Sequence, residues 1–114
     1  FGVGGNTGNG GMLAAFEAGK MAIGVDVDQY YTYPEVAAAL LTSAAKNMDK
    51  ATEQAVQAFV AGELEAGIRL ATAANDGVGL APYHDWEDKI PQECKDAVDA
   101  ALAGLKDGSI STGW

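Results

Sequence analysis

The sequence predicts an α/β fold, layered on a mainly parallel sheet, and three observations carry that expectation. Gly2 to Gly11 reads GVGGNTGNGG, a glycine-rich turn at the mouth of a strand-like tail. Ala22 to Gln29 reads AIGVDVDQ, a short apolar strand that runs out into two carboxylates and an amide. Further along, strand-like and helix-like segments alternate, the pattern of helices laid against parallel strands. In open α/β sheets ligands collect beyond the carboxyl ends of the strands, so both stretches mark where function should be sought.

Each element has a local reason. Gly10 and Gly11 open a helix through Met12 to Glu17, which Gly19 closes as a C-terminal cap. Met21 to Val25 is short and apolar, hence strand. A tyrosine-rich loop follows, Tyr30-Tyr31-Thr32-Tyr33, and Pro34 suits the first turn of a short helix. Leu40 to Ser43 reads as a strand, although the alanines around it allow helix as well. From Asp49 to Gly62 the apolar residues Ala51, Ala55 and Phe59 recur every four positions, with Val56 and Val60 beside them, which makes a helical stripe. Ile68 to Ala73 reads as a strand and Asn75 to Gly79 as a turn cluster. The last helix starts near Pro91 and lines up Cys94, Val98, Ala101, Leu102 and Leu105 on one face, with Cys94 expected as a small core residue.

Composition bounds the function. The 114 residues suit one domain with a core of its own. Phe1 is not an initiator, and Phe1-Gly2-Val3 resembles the tail of a strand that begins elsewhere, so a fragment of a larger protein is expected. A net charge of −9 argues against a nucleic-acid partner and against an anionic membrane surface, both of which call for clustered Lys and Arg. No apolar run approaches the roughly 20 residues of a membrane span. Cys94 is the sole cysteine, so no internal disulfide can form.

The glycine-rich turn does not fit the phosphate-binding motifs. Gly5 and Gly10 have P-loop spacing, but Gly11-Met12 stand where Lys and Ser or Thr are needed. The dinucleotide fingerprint fails because Thr7 occupies its third glycine position. What remains is either a backbone able to approach a ligand closely or a tight strand-to-helix turn. Asp26 and Asp28 share a face of an extended segment, and Asp26 ends the strand. Such a pair can serve acid–base or metal chemistry, can bond a vicinal sugar diol, or can cap a neighbouring turn. No third ligand stands at recognisable spacing, so no metal site, cofactor or catalytic residue is expected. His84 has no Gly-x-Ser-x-Gly nucleophile to serve and is read as a structural or a surface residue.

Five stretches in order, GVGGNTGNGG, AIGVDVDQ, LLTSAAKNMD (40 to 49), DGVGLAPYHD (76 to 85) and IPQECKDAVDAALAGLKDGSI (90 to 110), resemble the C-terminal portion of the basic membrane protein family. These are substrate-binding lipoproteins of ABC transporters, of the purine nucleoside receptor type. The resemblance implies a type I periplasmic-binding-protein fold, with residues 1–114 supplying most of its C-terminal lobe. It implies capture of a nucleoside-like ligand for ABC transporter permease subunits, a place in the cell envelope, and a lipid anchor on an N-terminal part not present here. It puts Gly4 and Gly5 against the ligand, assigns Asp26 to the ribose hydroxyls, and lets Lys46 reach the same sugar. A cytoplasmic ligand-sensing regulatory module of the same fold is the alternative, and a nucleotide-using enzyme the third reading.

Overall fold

The computed structural model describes residues 1–113. Helix α1 spans Asn6–Glu17 and leads into strand β1, Ala22–Asp26. A single helical turn, α2 (Gln29–Thr32), and a 3-10 helix (Pro34–Ala39) carry the chain across to β2, Leu40–Lys46. Helix α3 (Met48–Val60), strand β3 (Val78–Leu80), a 3-10 turn (His84–Trp86) and helix α4 (Gln92–Asp107) complete it. The sheet has the order β1-β2-β3.

The α/β class holds, but the sheet is not mainly parallel. Strands β1 and β2 run parallel, with Val25 opposite Ala44 and Asp26 opposite Ala45. Strand β3 joins β2 antiparallel, Ala44 facing Leu80. One parallel and one antiparallel pair make a mixed α/β layer, and three strands do not amount to the binding-protein lobe expected above. The physical reason lies in the segment expected as a parallel strand, Ile68 to Ala73. Asn75 takes its backbone groups: the side-chain Oδ1 accepts from Thr72 N–H at 2.8 Å and Nδ2 donates to the Leu70 carbonyl at 2.7 Å. With the Leu70 carbonyl and the Thr72 N–H taken up by this turn, that segment joins no ladder, and Ile68 and Leu70 face solvent. The chain then reverses through Asp76 and Gly77 into β3, whose first two residues, Val78 and Gly79, belong to the expected turn cluster.

Two further expectations are corrected. Only the first part of the glycine-rich stretch, through Gly5, is a turn before the helix; α1 begins at Asn6, so Asn6 to Gly11 form its first turns. Gly8 makes this possible: a Cβ there would lie 2.6 Å from the Gly2 carbonyl, so the N-terminal segment can rest on the helix only over a bare Cα. Phe1 to Val3 belong to no strand. Cys94 is exposed rather than in a core, because the face of α4 that carries it meets no neighbouring element closely.

The core is small and one-sided. Met12 of α1, Ala22 of β1, Val36 and Leu40 form it, with Ala15 and Tyr33 packed against them. Gly24 keeps the layers close: a Cβ there would strike Ser43 Oγ and come within 3.1 Å of the Gln29 Cβ. On the other side, α3 buries no residue at all. Helix α4 is tethered chiefly by ion pairs, Lys106 to Asp76 at 2.7 Å and Lys95 to Glu87. The chain exposes 7808 Å², whereas a folded 11.7 kDa monomer exposes about 5,900 Å².

Two stability predictions follow from this packing. Gly24→Ala forces Ser43 and Gln29 apart and should cost about 1–3 kcal/mol in denaturant unfolding. Gly10→Ala adds a Cβ where nothing lies within 4 Å, inside a helix, and should stabilise by roughly 0.5–1 kcal/mol.

The hydrogen bond and charge of Lys106 hold the Asp76 carboxyl below its ordinary value of 3.8. A carboxylate lowered in the fold stabilises it above that value, and its contribution fades as pH falls through the lowered one. An NMR titration should therefore find Asp76 ionised well into acid, and Lys106→Met should return it toward 3.8.

Candidate functional site

The parallel pair β1–β2 delivers its carboxyl ends side by side, and the residues there are Asp26 and Lys46. Their side chains meet, Lys46 Nζ lying 2.7 Å from Asp26 Oδ1, with both groups about half exposed. Asp26 has a backbone φ of 71°, a left-handed conformation that few non-glycine residues adopt. Across it the Val27 N–H donates to the Val25 carbonyl at 2.9 Å. A positive φ spanned by such a bond is the strained form of the γ-turn.

Magnitudes decide what this arrangement is for. An exposed ion pair contributes about 0–1 kcal/mol, while a residue held in a sparsely populated backbone region costs of order 1–3 kcal/mol. The pair therefore does not repay the turn in stability. What the turn does achieve is to end β1 abruptly and aim the Asp26 carboxylate across the strand ends at Lys46. An acceptor and a donor thus stand together at the edge where ligands collect.

Asp28, read alongside Asp26 as a second carboxylate on one face, is turned to a different task. Its Oδ1 accepts from the Tyr30 N–H at 3.2 Å and caps α2, the turn-capping role the sequence allowed. Its Oδ2 accepts from His84 Nε2 at 2.8 Å, which places the proton of that bond on Nε2. The His84 ring is only 13% exposed, stacks on Tyr30 at 4.0 Å and receives Tyr31 edge-on at 5.2 Å. Tyr30 in turn donates to Asp85 at 3.2 Å, and that bond, with the Asp85 charge, raises its pKa above the usual phenol value. His84 is therefore a structural clasp between the loop after β1 and the loop after β3. Sequence spacing could not show it, because 56 residues separate the partners.

The four residues expected at the site divide. Asp26 and Lys46 are joined, and they stand on the rim of a cavity whose wall also includes Phe1 and Val3. Gly4 and Gly5 follow Val3 directly, with φ of 146° and 57°, and turn the chain into α1 without forming part of that wall. Among the described residues no cluster of three His, Cys, Asp or Glu side chains could hold a metal ion.

Removing one half of the clasp tests its role. His84→Ala leaves the part-buried Asp28 carboxylate without its partner and should destabilise by about 1–3 kcal/mol. Asp28→Ala loses the helix cap as well, and the double variant should be less damaging than the two single losses added, as read from chemical unfolding of all three.

No family model matches the chain, and no curated protein matches it. The resemblance to the basic membrane protein family is accordingly corrected: no family model and no curated protein supports it. A solved structure does share the fold, that of a transcriptional activator of the comK gene from Bacillus halodurans. The likeness has a TM-score of 0.73 at 21% identity, over 89% of this chain and 34% of that one. It replaces the transport lipoprotein of the cell envelope with a regulator as the point of comparison. No helix among the described residues is long and apolar enough to cross a membrane. By fold, then, this chain is similar to about a third of a transcriptional activator.

Proposed function

We propose that this chain is a ligand-binding module of a transcriptional regulator acting in the cytoplasm, a binding rather than a catalytic protein. The observation that carries the ligand site is the strained turn at Asp26, which spends backbone energy to set a carboxylate against Lys46 at the strand ends. The kinship of fold with a transcriptional activator favours a regulator. With a net charge of −9, this chain leaves any DNA contact to other parts of the protein.

The chemistry of the pair favours a hydroxyl-bearing ligand. A carboxylate accepts hydrogen bonds from both hydroxyls of a vicinal diol, and an ammonium donates to hydroxyl or ring oxygen. Ligand oxygen atoms then take over the contacts that the two side chains now make with each other. A ribose-like sugar satisfies both.

Calorimetric titration of the intact protein with inosine and 2′-deoxyinosine tests this. Asp26→Ala should weaken inosine binding by about 1.5–3 kcal/mol, the range for a hydrogen bond to a charged group. The loss should be smaller for the deoxy compound, which already lacks one hydroxyl. Lys46→Met should weaken both while the melting curve stays in place. Unchanged affinity in a folded Asp26→Ala protein overturns the assignment.

A further inference from the structure

The Asp26–Lys46 pair stands on the rim of a cavity of about 570 Å³ whose walls are apolar. Val25, Ala44 and Leu80 supply the sheet side, and Val98, Leu102 and Leu105 supply the facing side from α4. Its volume lies within the span of about 300–1,000 Å³ typical of small-molecule sites, and its make-up is theirs too: apolar walls with a few convergent polar groups. Building on the reading of Asp26 and Lys46 given above, we propose that this cavity holds the apolar body of the same ligand, whose hydroxyl-bearing head meets Asp26 and Lys46. The ligand class is thus a hydroxylated molecule with a flat or aliphatic apolar portion, and not a free sugar or a sugar phosphate.

Three features of the chain support that class. The polar side chains on the cavity are one carboxylate and one ammonium, adjacent at the rim, so recognition deeper in is by apolar contact. A phosphate would meet Asp26 as a like charge at the same rim. The helix that closes the cavity is tethered by its polar ends, Lys106 to Asp76 and Lys95 to Glu87, and not by close packing on the sheet. It can therefore settle onto a ligand body of matching shape.

The experiment uses three probes with one head: ribose, inosine, and a dichlorobenzimidazole riboside, whose base is apolar. Binding to the intact protein should rise in that order, with the benzimidazole riboside at least tenfold tighter than inosine. Ala101→Trp, from an exposed position on the cavity wall, should fill the space and erase that preference, and Val98→Phe should do the same in part. Phe59→Ser, on the separate apolar face of α3, should leave it unchanged and so excludes general stickiness. Equal binding of inosine and the benzimidazole riboside overturns the cavity proposal, as does a preference that both fillings leave intact in folded proteins. If Asp26→Ala then still weakens both ribosides, the head-group reading stands without the cavity. If it weakens neither, the head-group reading has failed as well.

Discussion

The structure depends on one buried amide. Gln29 is 7% exposed, and every polar group of its side chain is engaged with a different element. Its Oε1 accepts from the Val25 N–H of β1 at 2.8 Å, and its Nε2 donates to Asn9 of α1 at 3.1 Å. Its backbone N–H donates to the buried Ser43 hydroxyl of β2 at 3.0 Å. Leaving any of these groups unpaired in the interior costs about 1–3 kcal/mol, so the three elements are held in one arrangement. Gly24 is the steric counterpart, because any side chain there would occupy the space that Ser43 and Gln29 share.

That constraint fixes what surrounds the strand end. Between Val25 and Gln29 the chain has only three residues, and both of its anchors are hydrogen-bonded to each other. The short span leaves Asp26 in its left-handed turn, Val27 outward, and Asp28 at the start of α2. Two carboxylates that look equivalent in sequence are thus separated in role. Asp28 is consumed by the α2 cap and by His84, while Asp26 stays half exposed with Lys46 at the ligand edge.

The outer elements obey a looser rule. Helices α3 and α4 are amphipathic, yet Phe59 and Val60 on α3 are 70% and 80% exposed, and the apolar face of α4 borders a cavity. Their helicity comes from local pattern and capping, including the left-handed Gly108 that ends α4. What covers an apolar stripe is a different matter from whether the stripe exists. This explains both the excess of exposed surface and the position of Cys94, which lies on such a stripe but outside any core.

Local chemistry alone determined most of the elements. The strand at Ala22, the proline-led turn at Pro34 and the helices after Asn47 and Pro91 follow from period, apolar run and cap, while the run from Leu40, open to strand or helix by its letters, became strand by pairing with β1. Local pattern also placed Asp26 at a strand end, where function was expected; Lys46 entered only through the resemblance, and β2 runs three residues past Ser43 to reach it. Tertiary structure decided the rest. The strand foreseen at Ile68 gave way to the Asn75 turn, the short segment at Val78 became an antiparallel strand, and the glycine-rich stretch from Asn6 onward became helix over Gly8. It also decided that Asp28 serves His84 and that Asp26 is bent toward Lys46. The physical reason is range: period and caps act within one or two turns of chain, while strand direction and side-chain partners depend on which distant donors and acceptors remain free once the core has closed.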